Sequence, residues 1–406
     1  MRILYRIGIW FYGVAIHLAA IFNAKAKAWV EGRRQQDYKI VSSGKRVIWF
    51  HCASLGEFDQ GLPLMFEWRK AFPDDYILVT FFSPSGMQHY HKREHPADEV
   101  IYLNLDTKRN AEQFIRHYQP YIAFFIKYEF WHEHLRAAKL SGTKLYSVST
   151  ILRNDHVFFK SYGGFFRETL ELFDFFYVQT KRTGELLESI GINQYMITGD
   201  SRFDKVLDNK AKAKTEPLLD AFANNEEVWI IGSSWPIDEK VVLPVVNEIQ
   251  IKVIIAPHQI DDAHVGAIEN QLERPFVRFT HADADTIATK DVLILDTIGQ
   301  LSNAYSYGSI AYIGGGFTGK LHNTLEPAVF GLSILIGPKH SRFPEAQLFI
   351  DHGIAFEVSD AASLNKSLLY ALENRSEIQL KAEKIVTENA GASKKIFQHI
   401  NSSSAV

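Results

Sequence analysis

From Lys45 onward, short apolar runs alternate with amphipathic stretches. The runs at 47–50, 77–82, 100–103, 121–126, 144–148, 175–179 and 195–198 have the length of strands and are rich in β-branched or aromatic residues. Between them, stretches such as 111–118 and 183–190 read as helices. Residues 204–227 break the rhythm: they are polar, carry a Lys/Ala run and hold no strand, which reads as a linker with one helix. The alternation then restarts with runs at 228–231, 252–256, 276–280, 292–295, 310–313, 333–336 and 354–358. Strand–helix alternation argues for parallel sheets covered on both faces. The chain therefore reads as two doubly wound, Rossmann-like α/β domains in series. The expected boundaries are an N-terminal helix with a basic flank at 1–35, a first domain at 36–205, a linker at 206–227, and a second domain at 228–406 that includes a C-terminal helix. Ligands of such sheets bind beyond the carboxyl ends of the strands, so the expected active site is the cleft between the domains.

The first residues follow a different pattern. The segment 7–22 reads IGIWFYGVAIHLAAIF, with His17 its one strongly polar member. As a helix it would be roughly 24 Å long, a little short of the roughly 30 Å hydrocarbon core of a bilayer. Arg2 and Arg6 precede it, Lys25, Lys27, Arg33 and Arg34 follow, and Trp10, Phe11, Tyr12 and Trp29 sit near its ends. The pattern favours a membrane-associated helix over a signal peptide or a helix packed on the protein. The larger basic cluster on the domain side favours a cytoplasmic catalytic part.

Composition narrows the picture. The chain has 406 residues, 46% of them hydrophobic and 22% charged, which fits two or three ordinary globular domains. With 44 basic against 47 acidic residues the net charge is −3, so no global positive field exists and a dedicated nucleic-acid binder is not expected. A single cysteine, Cys52, excludes internal disulfides and cysteine-cluster metal sites. Aromatic residues are abundant, with 29 Phe; Phe158, Phe159, Phe165 and Phe166 suggest a lipid-contacting surface on the first domain.

Candidate chemistry lies at the strand ends. The run at 47–50 leads into HCASLGEFDQG, where Gly56 permits a tight turn and Glu57 stands at a helix start. A carboxylate there can act as a general base; it can equally be an acid favoured by the helix dipole. The segment 310–338 carries Gly314–Gly316, a loop, and a helix expected to begin near Asn323 as its N-cap. Glycines let phosphate approach backbone N–H groups. The stretch 314–320 also fits G-x-x-x-x-G-K, but Leu321 replaces the hydroxyl residue a P-loop requires. Asp296 precedes this loop, which does not suit a Walker-B acid. Glu326 suits a ribose diol better than a phosphate. Ser233 and Ser234 fit phosphate or base contacts, His258 is either a donor to a leaving phosphate or a helix cap, and Arg202 places a cation near the hinge. Asp283-Ala284-Asp285 reads as a surface loop rather than a metal site, and His89, His91 and His95 as a solvated helix end. His132 and His134 are two residues apart, too close to share one helix face.

Several pieces together carry a resemblance. They are HCASLGE at 51–57, SPSG at 83–86, YEFW at 128–131, GDSRFD at 199–204, GSS at 232–234, GGG at 314–316, HNTLEP at 322–327 and GPKHSRF at 337–343. On these motifs the chain resembles the 3-deoxy-D-manno-oct-2-ulosonic acid (Kdo) transferases of lipopolysaccharide assembly. The resemblance implies an inverting GT-B glycosyltransferase that needs no metal or other cofactor. It implies CMP-Kdo as donor, held by the second domain, and a lipid A precursor (lipid IVA) as acceptor, held by the first domain near the membrane. By the same analogy Glu57 is the base and Glu129 a second essential carboxylate. Ser233, Ser234, His258, Gly315, Gly316, Asn323 and Glu326 surround the nucleotide, and Ser83, Ser85, Arg153 and Arg202 are acceptor or phosphate contacts. The chain departs from the family pattern at 256–258, at 149–153 and at Arg202, where the family commonly has a lysine. The alternatives are another GT-B enzyme acting on UDP-sugars, a transferase or an epimerase, and a P-loop-like nucleotide-binding protein.

Overall fold

Each of the fourteen apolar runs forms a strand, with small shifts at the ends, in a computed structural model that describes residues 1–41 and 44–403. The first sheet contains β1 (Val47–Cys52), β2 (Tyr76–Phe81), β3 (Glu99–Tyr102), β4 (Ile122–Ile126), β5 (Lys144–Thr150), β6 (Phe175–Val178) and β7 (Tyr195–Ile197), in the order β3-β2-β1-β4-β5-β6-β7. The second contains β8 (Val228–Ser234), β9 (Lys252–Pro257), β10 (Phe276–Arg278), β11 (Val292–Ile294), β12 (Ile310–Ile313), β13 (Ser333–Ile336) and β14 (Ala355–Glu357), in the order β10-β11-β9-β8-β12-β13-β14. All recorded strand pairs are parallel. The central strands are buried on both faces, which is why they read as unbroken apolar runs rather than as alternating ones. Each sheet reverses its winding once, between β1 and β4 and between β8 and β12. In doubly wound sheets ligands bind at that reversal.

The chain divides into two units. One is Met1–Lys205 with the returning chain from Ala390, and the other is Val206–Asn389. This differs from the expected boundaries at two places. The helix Ala392–Ser403 belongs to the first unit, because Ile396 and Ile400 are buried in its core and Phe397 packs on Trp68 and Phe72. Tyr177 Oη lies 2.9 Å from His399 Nδ1. Asp204 accepts the backbone N–H groups of Gly391 and of Ser393, the latter at 2.8 Å. The expected linker holds no strand but contains a second helix, Pro217–Ala223, whose Leu219 and Phe222 are fully buried in the second unit.

The N-terminal segment forms two helices, Arg2–Ala19 and Ala24–Gln35. No single helix among the described residues is long and apolar enough to cross a membrane; these two pass such a test only as a pair, bent by 114°. Ile9 and Gly13 face the protein, while Ile3, Leu4, Trp10, Phe11, Leu18 and Phe22 are exposed. Tyr5 donates to Asp106 at 2.5 Å and Arg6 to Glu133 at 2.7 Å, which pins the first helix to the first unit. Phe158 and Phe165, expected on a lipid-contacting surface, are buried in or against the core, with Phe159 and Phe166 partly buried beside them. Phe165 and Phe166 belong to the helix Gly164–Leu170, Phe158 and Phe159 to the short turn Val157–Phe159, and the four rings pack on one another.

Candidate functional site

In the first unit the strand ends at the sheet reversal bring two carboxylates together. Glu57 lies in the first turn of the helix Leu55–Ala71, directly after β1, where the helix dipole favours a negative charge. Its carboxylate accepts a hydrogen bond from the Ser54 hydroxyl. Lys127 Nζ stands 3.9 Å from its other oxygen. Lys127 follows β4 in a left-handed conformation, φ 68°. Two residues on, Glu129 is largely withdrawn from water. Burial first, and then the charge of Glu57, push its carboxyl up to about 7, against a hydrogen bond from Trp131. Glu129 Oε2 is buried without a hydrogen-bond partner.

A packed network fixes the loop that carries Glu129. The Trp131 indole N–H donates to His51 Nε2 at 3.1 Å, and its ring stacks on Phe82 at 4.4 Å. Burial holds His51 near 3, so the ring is neutral. With Nε2 accepting, Nδ1 carries the proton and donates to Thr80 at 2.9 Å. On the other side of Phe82 lies Arg33. Its guanidinium sits 3.6 Å from the Trp29 ring centre and donates to the carbonyls of Leu103, Trp29 and Phe82. Burial lowers Arg33 to about 9. Tyr12, on the N-terminal helix, packs 6.3 Å from Phe82 and feels the charge of Glu129. The carboxylate pair thus lies on the side of the unit against which the N-terminal helix packs.

In the second unit the corresponding reversal holds the small residues. Ser233 has φ 55° at a register shift between β8 and β9, a conformation that costs a non-glycine residue energy and re-aims the strand end. The Gly-rich turn after β12 lies directly against it: a Cβ on Gly314 would collide with the Ser233 carbonyl, and one on Gly315, at φ 89°, with the Lys320 carbonyl. Asp238, fully buried, ties the two turns together. It accepts from Trp235 N at 2.9 Å, Gly315 N at 3.0 Å and Tyr312 Oη at 2.8 Å. Asn323 donates to Glu326 at 3.0 Å, and Ser302 donates to the other Glu326 oxygen at 2.6 Å. Trp235 stacks on His258 at 4.1 Å and donates to His322 Nε2 at 3.2 Å. Burial lowers both imidazoles below their ordinary value, which makes them neutral ring donors rather than cations.

Several candidates sit differently from expectation. The N-cap of the short helix Leu325–Val329 is Thr324, not Asn323; Asn323 Oδ1 instead accepts from Leu325 N at 3.0 Å. The Ser234 hydroxyl is buried and donates to Glu239 at 2.9 Å, so it supports the turn from below. Gly316 packs on Gly337, leaving no room for a side chain. Ser83 and Ser85 bond each other at 3.0 Å at the start of the helix Pro84–His89. Arg153 is exposed and pairs with Asp155 at 3.4 Å. Arg202 pairs with Asp200 of its own motif at 2.6 Å. Asp283 caps its own turn, accepting from Thr286 N at 2.9 Å. His132 and His134 are both buried, His132 against Thr169 at 2.8 Å and His134 against Asp106 at 2.6 Å. No cluster of three or more His, Cys, Asp or Glu suited to a metal ion occurs among the described residues. Sequence reasoning missed Lys127, Trp235 and Asp238. The spacing of Asp238, three residues after a helix-starting position, was the available signal for it.

Comparison with known proteins adds to this geometry. Residues 28–205 match the family described as 3-deoxy-D-manno-octulosonic-acid transferase (kdotransferase). The chain is similar to 3-deoxy-D-manno-octulosonic acid transferases of Rickettsia felis, 26% identical across 84% of this chain and 75% of that one, and of Chlamydia muridarum, 26% identical across 96% and 91%. Among solved structures it is similar in fold to UDP-GlcNAc 2-epimerase from Neisseria meningitidis. The TM-score is 0.65 at 14% identity, covering 88% of this chain and 100% of that chain. The paired seven-stranded sheets and this likeness give the fold as GT-B.

Proposed function

We propose that the chain is a glycosyltransferase of the Kdo transferase type, acting in lipopolysaccharide biosynthesis, and that it moves Kdo from CMP-Kdo to a lipid A precursor with Glu57 as the general base. The observation that carries the assignment of the base is the position of Glu57. It stands at the reversal of the first sheet, within the family-matched residues, paired with Lys127 and beside Glu129. In this reading the acceptor hydroxyl attacks the anomeric carbon of Kdo and gives its proton to Glu57. The new carbon–oxygen bond forms as the bond from that carbon to the CMP phosphate breaks, with inversion, and CMP leaves. Glu129, whose carboxyl burial raises to about 7, donates a hydrogen bond to the acceptor sugar in its protonated form.

The second unit holds the nucleotide. The backbone N–H of Gly316 and the neutral imidazoles of His258 and His322 face its phosphate, while Asn323 and Glu326 take the ribose hydroxyls. The exposed apolar side chains of Arg2–Ala19 lie on the inner membrane at its cytoplasmic face. This presents a lipid-borne sugar to the side of the unit on which Tyr12, Phe82 and Trp131 pack. The test is Glu57→Gln. Transfer falls by roughly 10²–10⁴-fold while CMP binding, followed by calorimetry, is unchanged. A folded variant that transfers sugar at the wild-type rate would refute the role.

A further inference from the structure

Lys127 has no place in the reaction as written above, yet its geometry is costly and specific. It follows β4 with φ 68°, a left-handed conformation that suits glycine or asparagine and is unfavourable for a long side chain. Its backbone N–H is held by the Val148 carbonyl at 2.8 Å, which locks that conformation in place. A glycine would make the same turn without strain; what lysine adds is an ammonium group. That group stands 3.9 Å from Glu57 Oε1, with the two side chains only 25% and 15% exposed. The other groups facing Glu57 are the Ser54 hydroxyl on its second oxygen, the Glu129 carboxyl, and the Cys52 thiol, which burial first and then the charges of Glu57 and Asp59 disfavour from ionising. Asp59 is itself paired with Arg93 at 3.0 Å. Among the described residues, Lys127 is therefore the cation paired with Glu57.

We propose that Lys127 is a positioning residue for the base: the left-handed turn after β4 sets its ammonium opposite Glu57 and holds that carboxylate in its aim beside Glu129. The proposal rests on the reading of Glu57 as the base. The ammonium beside one Glu57 oxygen and the Ser54 hydroxyl on the other hold the carboxylate from both sides. The strained backbone makes the cation's position a property of the fold rather than of a flexible side chain.

The test compares Lys127→Asn with Lys127→Arg and Glu57→Gln in the full chain, with kcat and KM for donor and acceptor measured across the pH range of activity. Asparagine tolerates the left-handed backbone, so Lys127→Asn removes the charge without adding strain. Without the ammonium the Glu57 carboxylate turns from its aim, so kcat falls about tenfold while KM for donor and acceptor changes by less than about twofold. Lys127→Arg keeps kcat within about twofold of wild type. An unchanged kcat in Lys127→Asn, together with an inactive Glu57→Gln, overturns the proposal and leaves the base assignment standing. A raised KM with an unchanged kcat also overturns it, since that would make Lys127 a substrate contact. An active Glu57→Gln removes the base assignment itself and the proposal with it.

Discussion

Replacing Glu129 with glutamine should stabilise the protein, and only above the pH at which the free carboxyl ionises. The structure raises this carboxyl from its ordinary value of 4.5 to about 7, through burial first and the neighbouring Glu57 charge second. Below about pH 4.5 folded and unfolded chains both carry the proton, and the site costs nothing. Between that pH and about 7 the unfolded chain ionises while the folded one resists, so stability falls as pH rises; above about 7 the loss is complete. At about 1.4 kcal/mol per tenfold change in the ionisation equilibrium, the ceiling is about 3 kcal/mol. Partial solvent contact and local relaxation reduce this to about 1–2 kcal/mol. Glutamine keeps the shape but cannot ionise. Urea unfolding of both proteins at about pH 5 and about pH 8 reads the difference directly. The variant should be more stable at the higher pH, by far less at the lower, and slow in transfer at both. In a Glu57→Gln background the gain should shrink, because one of the two causes has been removed. A Glu129→Gln protein no more stable than wild type at pH 8, or one whose gain is independent of pH, would refute the reasoning.

Two further outcomes follow from the same geometry. Gly315→Ala forces a Cβ into the Lys320 carbonyl at φ 89°, adding roughly 1–2 kcal/mol of left-handed backbone cost to a collision between main-chain atoms; thermal unfolding should show a lowered midpoint and calorimetry a weakened CMP titration, and an unchanged pair of values would contradict the role of the turn. Ending the chain after Asn389 removes Ile396, Phe397 and Ile400 from the core of the first unit, where a buried side chain of this size contributes about 1.5–3 kcal/mol; hydrogen exchange should accelerate in the helix Leu55–Ala71 and stay unchanged in the second sheet, and the opposite distribution would contradict the assignment of the C-terminal helix.

The strands were legible because parallel strands buried on both faces leave continuous apolar runs, and those runs end where the small and acidic residues of the site begin. Glu57 was legible for the same reason: a strand, a tight turn and a helix start give its place without tertiary information. What required the structure were relations between distant segments. Nothing local in Ala392–Ser403 says which sheet it will cover, since its apolar stripe at Ile396 and Ile400 would fit either. Ser234 read as a ligand contact because its partner Glu239 lies on the following helix and claims the hydroxyl from beneath. Phe158 and Phe165 read as surface because a run of aromatic residues gives no local sign of the core it fills. Lys127 was invisible because the left-handed region is the one a sequence reader assigns to glycine, and the turn's purpose lies in the charge that glycine lacks.

The central claim, transfer of Kdo with Glu57 as base, is tested most directly by incubating the full chain with CMP-Kdo and a lipid A precursor and weighing the lipid by mass spectrometry. The wild-type protein should add the mass of Kdo and release CMP in equal amount, and Glu57→Gln should do neither while still binding CMP. A lipid of unchanged mass, or transfer from a UDP-sugar in place of CMP-Kdo, would contradict the account.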